Sequence, residues 1–293
     1  MIDPADPDQL VKLLRRHRIN LKHALGQNFL IDPVMRDRVA EAAGNDSGTV
    51  VEVGAGVGTL TIALAQRHRR VVAVELDRTL IPALREVVGG HQGVEVVESD
   101  ILKLDLSRSY ADGEGVVAGN IPYSLTGALI RKVLDHPPRP RRLSLVVQKE
   151  VAERWTATTG ASLATVAVQV FAEARLGFMI PAAAFTPEPR VDSALVLLEV
   201  RKKPAVDVTD MDAFFRLVES VFQFRRKQLG GALGRIAGIG SEAAAARLRE
   251  VGIDPERRAQ TLTLGEWESV YHRFNTPHLA TPKGVTRLPS GGE

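Results

Sequence analysis

The chain of 293 residues contains no cysteine. This absence excludes disulfide bridges, zinc sites built on thiolates and enzymes that use a cysteine nucleophile. No apolar run reaches the roughly 18 residues that would indicate a membrane span. The first ten residues, MIDPADPDQL, are acidic and lack the basic-then-apolar order of a signal peptide. We therefore expect a cytoplasmic protein that does not contact a membrane.

Excess positive charge is also scarce, since the net charge is only +3, but it is concentrated in clusters. Three basic clusters stand at residues 12–23, 139–142 and 225–227. Each cluster by itself is explained equally well by a solvated surface. Three clusters on one chain favour a polyanionic partner such as nucleic acid.

Short valine-rich runs alternate with helical patterns between about residue 34 and residue 200. Six runs are predicted as strands: 49–54, 70–76, 94–100, 115–120, 142–148 and 193–200. Strands that alternate with helices predict an α/β fold, in which helices cover both faces of a parallel sheet. Residues 164–179 are predicted as a further β-rich stretch that joins 193–200 in an antiparallel sheet edge.

The character of the chain changes toward the C-terminus. Residues 201–210 are predicted as a linker, and apolar residues at helical spacing predict a small all-helical domain over 211–274. Residues 275–293 are rich in Pro, Gly and Thr and are predicted to be disordered. Residues 1–22 are predicted as a basic N-terminal extension of a main domain over 23–200.

Glycines 54, 56 and 58 follow the first predicted strand and precede a predicted helix, with GxGxG spacing. Glycine permits a tight turn, and its missing side chain lets a ligand approach the backbone. The helix N-terminus behind such a turn offers unpaired N–H groups. A glycine turn alone is weak evidence for a ligand, because a purely structural turn has the same sequence.

Two acids strengthen this evidence. Glu75 ends the second strand, 21 residues after Gly54, where a carboxylate can accept hydrogen bonds from both hydroxyls of a ribose. Asp100 ends the third strand and can accept from an adenine amino group, while Ile101 covers the ring. In open α/β sheets the ligand lies across the carboxyl ends of the strands. The set predicts an adenosine cofactor, either S-adenosylmethionine or a nicotinamide dinucleotide, and the GxGxG spacing favours S-adenosylmethionine.

The stretch GNIPY (119–123) stands where the fourth strand should end. It resembles the amino-methyltransferase motif [N/D]-P-P-[Y/F], whose target is a planar exocyclic amine. The resemblance implies that the side-chain oxygen of Asn120 and a nearby backbone carbonyl accept the two hydrogens of the amine. Tyr123 would stack on a base flipped out of its helix. The alternative is that Asn and Pro merely punctuate a turn.

Four further segments, together with GNIPY, resemble motifs of the ribosomal RNA adenine dimethyltransferases: 23–32, 148–155, 185–196 and 224–233. The resemblance extends over about residues 20–260 and follows the order of the family. It implies that Phe185 sandwiches the target base opposite Tyr123. It also implies a set of residues that hold S-adenosylmethionine: Gln27, Asn28, Leu30, Gly54, Glu75, Asp100 and Asn120.

Within the family, the sequence resembles the branch that dimethylates two adjacent adenosines in the 3′-terminal hairpin of 16S rRNA, in a partly assembled small subunit. The alternatives are a macrolide-resistance methylase of 23S rRNA and a non-catalytic assembly factor with the same fold. A dehydrogenase is disfavoured by the GxGxG spacing. One departure is Ala55, where the family commonly has Pro. We expect a monomer, because the chain shows no coiled-coil pattern.

Overall fold

The computed structural model describes residues 2–19, 28–44, 48–110, 114–122, 125–134 and 137–274. Their strands are β1 (Phe29–Leu30), β2 (Thr49–Val53), β3 (Arg70–Glu75), β4 (Val94–Glu98), β5 (Val116–Asn120), β6 (Arg142–Gln148), β7 (Ala172–Ile180), β8 (Phe185–Thr186) and β9 (Ser193–Val200). Their α-helices are α1 (Pro7–Arg16), α2 (Pro33–Ala43), α3 (Thr59–Ala65), α4 (Ile81–Val88), α5 (Thr126–Leu134), α6 (Lys149–Trp155), α7 (Leu163–Phe171), α8 (Met211–Phe222), α9 (Leu229–Ala237), α10 (Ser241–Glu250) and α11 (Leu264–Phe274). None of these helices combines the length and apolarity that crossing a membrane requires.

Seven of the strands form one sheet in the order β4-β3-β2-β5-β6-β9-β7. The strands β4, β3, β2, β5 and β6 are parallel, and β9 runs antiparallel between β6 and β7. Valines fill β2, β3 and β5 because both faces of these central strands are buried. The predicted α/β architecture is confirmed, and the carboxyl ends of β2 to β5 meet at one edge of the sheet.

The prediction for residues 164–179 is half wrong. The first part of this stretch lies in helix α7, whereas β7 pairs antiparallel with β9 as expected. The sequence of α7, LATVAVQVF, is rich in β-branched residues and apolar on nearly every side. A buried helix of this kind has no alternation of polar and apolar residues, so periodicity alone does not distinguish it from a buried strand.

The N-terminal segment packs against helices that cover the sheet and does not extend away from them. Asp6 caps helix α1 by accepting from the N–H groups of Asp8 and Gln9, and Pro7 occupies its first turn. Leu10 and Leu13 are buried in the same apolar cluster as residues of α3 and α4. The basic residues of α1 lie on its other, exposed side, and its last turn pairs with Glu86 of α4.

The chain divides into two compact units. The sheet unit consists of Met1–Ala157 with Ala167–Ala205, and the helical unit consists of Thr158–Val166 with Val206–Glu293. In the second unit, helices α8 and α11 share an aromatic core, in which the rings of Phe214 and Tyr271 meet edge to face at 5.9 Å. The helical C-terminal region is thereby confirmed. The boundaries predicted at 23–200 and 211–274 remain a proposal, because residues 158–166 group with the C-terminal helices. The predicted disordered tail lies outside the described residues.

Candidate active site

A glycine turn connects β2 to α3 at the carboxyl edge of the sheet. Gly54, Gly56 and Gly58 all have positive φ angles, of 72°, 60° and 93°. The N–H of Gly54 donates to the carbonyl of Val74 at 2.9 Å, which ties the turn to the neighbouring strand β3. A Cβ atom on Gly56 would lie 2.9 Å from the ring of Phe29, so the turn has no room for a side chain there.

Glu75 ends β3 with a carboxylate that the backbone holds in place. Its Oε2 accepts from the N–H of Gly56 at 2.7 Å, and its Oε1 accepts from the N–H groups of Leu76 and Asp77 at 2.9 and 2.8 Å. Burial raises the pKa of Glu75, and these three hydrogen bonds oppose that rise. Three of about four lone-pair positions are therefore occupied, which leaves one on Oε2 for a ligand hydroxyl.

One cavity of about 250 Å³ lies across the carboxyl ends of these strands. Seven of the residues predicted for the site line it: Asn28, Leu30, Gly54, Glu75, Asp100, Ile101 and Asn120. Their separation along the sequence shows that the topology of the sheet brings them together. Gln27 and Tyr123, also predicted for the site, lie outside the described residues. The individual roles of all these residues remain predictions.

The cavity is acidic. Its lining includes four carboxylic acids, Glu52, Glu75, Asp77 and Asp100, and among the described lining residues none is Lys, Arg or His. One oxygen of Asp100 accepts from the N–H of Leu102 at 3.0 Å, which fixes the side chain in a turn and leaves its second oxygen for a ligand. Clefts lined by one sign of charge favour ligands of the opposite sign. This cavity therefore suits a ligand that carries positive charge.

Asn120 ends β5 and is oriented by a hydrogen bond to another residue of the cavity lining. Its Nδ2 donates to the backbone carbonyl of Asn28 at 2.7 Å. This bond fixes the orientation of the amide, and the side-chain oxygen, which is its only acceptor, can accept from a ligand. The carbonyl of Pro122 already accepts from the N–H of Leu125 at 2.8 Å. The geometry at Asn120 is that of a hydrogen-bond acceptor held at the end of a strand.

Phe185 is not brought into this cavity. It lies in β8, opposite Leu30 of β1, and its side chain is only 3% exposed. It packs in an apolar cluster with Leu30, Ile180 and Ala184. The predicted stacking of Phe185 on a base therefore remains a prediction that this arrangement of the ring does not support directly.

Sequence reasoning missed Glu52, which lines the cavity from the penultimate position of β2. Burial raises the pKa of Glu52 to about 8, the repulsion from Glu75 adds to that rise, and the hydroxyl of Thr61 opposes it. The signal was present in the sequence, since TVVEV places one acid within an otherwise apolar buried strand. A charged residue at such a position is rare unless it has a partner or a function.

Comparison with known proteins gives a consistent result. The family model described as ribosomal RNA adenine dimethylase matches residues 18–276. The ribosomal RNA small subunit methyltransferase A of Pelotomaculum thermopropionicum is 40% identical, over 94% of this chain and 98% of that protein. The protein of the same name from Enterococcus faecalis is 38% identical, over 90% of this chain and 93% of that protein.

Solved structures agree in fold. The 23S rRNA methyltransferase ErmE is 28% identical with a TM-score of 0.65, and the match covers 85% of this chain and 100% of that one. A dimethyladenosine transferase from Plasmodium falciparum is 24% identical with a TM-score of 0.67, and the match covers 83% of this chain and 96% of that one. Fold and relatives together define an rRNA methyltransferase. The chain belongs to the ribosomal RNA adenine dimethylase family.

Proposed function

We propose that this enzyme dimethylates the N6 amino groups of two adjacent adenosines in the 3′-terminal hairpin of 16S rRNA. The observation that carries the proposal is Asn120, which lines the same cavity as Glu75 and Asp100 and whose amide is held by the carbonyl of Asn28. The small-subunit target is supported by relatives such as those from Pelotomaculum and Enterococcus, which match nearly the whole chain. The 23S alternative is less favoured, because ErmE is less similar in sequence.

The residues of the cavity fit S-adenosylmethionine. Gly54 and Gly56 form the tight turn that lines the cavity, Glu75 has an acceptor position for a ribose hydroxyl, and Asp100 has a free oxygen for an adenine amino group. The acidic lining matches the positive charge of the cofactor. When bound, this cofactor supplies an activated methyl group on a sulfonium.

The remaining chemistry falls to Asn120 and the backbone near it. The exocyclic nitrogen of adenine is a poor nucleophile, because its lone pair is delocalised into the ring. Hydrogen bonds from the amine to the Asn120 oxygen and to a backbone carbonyl favour a pyramidal nitrogen with its lone pair aimed at the methyl group. Orientation and electrostatics then carry most of the catalysis, and no strong base is needed before the methyl moves.

The target base is proposed to stack between Tyr123 and Phe185. Phe185 packs in the apolar core beside β1, so stacking requires its ring to become accessible when the RNA binds. We propose that the substrate is a partly assembled small subunit, that the basic cluster at 225–227 contacts its phosphates, and that the enzyme acts as a cytoplasmic monomer. The residues of this cluster are exposed.

The test is transfer of radiolabelled methyl groups to small subunits that lack the modification, followed by mass mapping of the rRNA. We expect two dimethylated adenosines side by side near the 3′ end of 16S rRNA. Large subunits and deproteinised 23S rRNA serve as parallel substrates. Methylation confined to 23S rRNA would establish the macrolide-resistance type of activity, and cofactor binding without any methylation would indicate an assembly factor.

A further inference from the structure

Glu52 has no role in the mechanism above, although it belongs to the same cavity. It is 1% exposed, and its Oε2 has no hydrogen-bond partner among the described residues, although the nearby hydroxyl of Thr61 lowers its pKa in part. The hydroxyl of Thr59, also on the cavity wall, is buried and without a partner in the same part of the chain. A buried polar atom without a partner costs about 1–3 kcal/mol, so two such groups on the wall of one cavity need an explanation.

The surroundings of Glu52 offer it no positive charge. Its register partners in the flanking strands are Ala73 of β3 and Ala118 of β5. The charged groups of the cavity are the carboxyls of Glu75, Asp77 and Asp100, and no basic side chain stands among the described lining residues. With a pKa of about 8, Glu52 carries a proton at neutral pH in the free protein.

We propose that Glu52 senses the charge of the cofactor: it releases its proton to solvent when cationic S-adenosylmethionine enters the cavity, and it takes a proton back once methyl transfer has left neutral thioether sulfur. The inference rests on the proposed use of S-adenosylmethionine. The donor carries one more positive charge than S-adenosylhomocysteine, the product it becomes. A carboxylate that forms only beside the donor favours the donor over the product.

The pH dependence follows from linkage. Below about pH 8, the free protein holds the Glu52 proton and the donor complex holds less of it, so the affinity for S-adenosylmethionine rises with pH. The rise is up to about tenfold per pH unit when one whole proton is released. Above pH 8 the carboxylate is already formed in the free protein, and the affinity levels off. The affinity for S-adenosylhomocysteine should change much less over the same range.

Isothermal titration calorimetry at pH 7, in phosphate and in Tris, measures the protons released on binding. We expect close to one proton for S-adenosylmethionine and clearly fewer for S-adenosylhomocysteine. Glu52→Gln should abolish this difference and make the ratio of the two affinities independent of pH between pH 6.5 and 8.5. Glu95→Gln, on the exposed side of β4, is the matched control and should behave as the parent does.

Equal proton counts for the two ligands in the parent protein would overturn the inference, whether or not Glu52→Gln folds. A proton release that persists in a folded Glu52→Gln variant would assign it to another group and overturn the inference as well. Failure of the parent to bind S-adenosylmethionine at all would instead contradict the proposed function.

Discussion

The half of the site that we propose holds the cofactor and the half that we propose receives the RNA are built differently. The cofactor half consists of residues at or just after the ends of hydrogen-bonded parallel strands, such as Gly54, Glu75 and Asp100. Among the described residues of the RNA half, Asn120 alone has such a position, while Phe185 lies in a two-residue strand packed into the core. The register of a parallel sheet fixes the positions of residues at its strand ends. The positions of residues in short strands and loops depend instead on the side chains that pack around them.

The largest effect should come from Phe185, the residue that least resembles a site residue in this structure. Phe185→Ala should lower the free energy of unfolding by about 3–5 kcal/mol, because it empties a buried aromatic position. Phe185→Leu should restore most of the stability but not the turnover, since stacking on a base is worth about 1–3 kcal/mol. Chemical denaturation and single-turnover methylation separate the two effects. Full turnover in the leucine variant would remove Phe185 from the RNA half.

Asn120→Ala should reduce the methylation rate on the order of 10²–10³-fold at saturating cofactor, by analogy with the loss of one preorganised hydrogen-bonding group. Subunit binding should change little, because phosphate contacts supply most RNA affinity. Cofactor affinity must be measured separately, since Asn120 lines the shared cavity. Asn120→Asp is the matched variant: it keeps an acceptor oxygen but loses the donor to the Asn28 carbonyl. If the folded Asn120→Ala variant, saturated with cofactor, methylates subunits at nearly the parent rate, then GNIPY is only a structural turn.

Glu75→Ala should act on the cofactor half alone. Hydrogen bonds to charged groups are worth about 1.5–3 kcal/mol each, so S-adenosylmethionine affinity should fall by at least about tenfold. Part of the loss arises because the carboxylate also holds the N–H of Gly56 in the glycine turn. Glu75→Gln, which keeps the size but not the charge, should lie between the parent and the alanine variant. Calorimetry on the folded variants measures their affinity for S-adenosylmethionine. An unchanged affinity in Glu75→Ala would exclude Glu75 from the site.

The smallest effect should come from the basic clusters, which differ in whether their side chains already have partners within the protein. Arg139, Arg141 and Arg142 are each engaged: with the Phe171 ring, with Glu114 and with Glu199. Residues 225–227 are exposed, and they form no ion pair within the part of the chain that the structure describes. Neutralising 225–227 should weaken subunit binding and lower its salt slope by about 0.7–0.9 for each phosphate that the variant no longer neutralises.

Neutralising the arginines at 139–142 should instead lower stability and leave most of the salt slope intact. Salt-dependent subunit binding and thermal unfolding measure the two effects on matched glutamine variants. An equal decrease of the slope at both clusters would show that the paired arginines exchange their protein partners for phosphate. An unchanged slope after neutralising 225–227 would assign that cluster to the solvated surface.

The sequence was sufficient to predict that the residues of the cofactor half lie together, because parallel strands place their ends predictably. A glycine turn and an acid after each of two strands leave few other arrangements once the strands are recognised. It was insufficient where burial overrides local pattern. Helix α7 resembles a strand because all its sides are apolar, and Glu52 went unnoticed because a single acid in a valine-rich strand has no periodicity. The engagement of Arg139–Arg142 with the protein depends on long-range contacts that no local signal reveals.

During synthesis of the protein, residues 158–166 are made well before the helices with which they group. Thr159 pairs with Thr263, and the N–H of Gly160 donates to the carbonyl of Leu262, so neither contact can form until nearly the whole described chain has been synthesised. Domains generally fold as units, with the N-terminal one first during synthesis. The sheet unit can therefore close once residue 205 has emerged, while the helical unit waits for its last helix. A truncation within 201–210 would leave residues 158–166 without their partners. The helical unit therefore cannot be deleted cleanly by a single truncation.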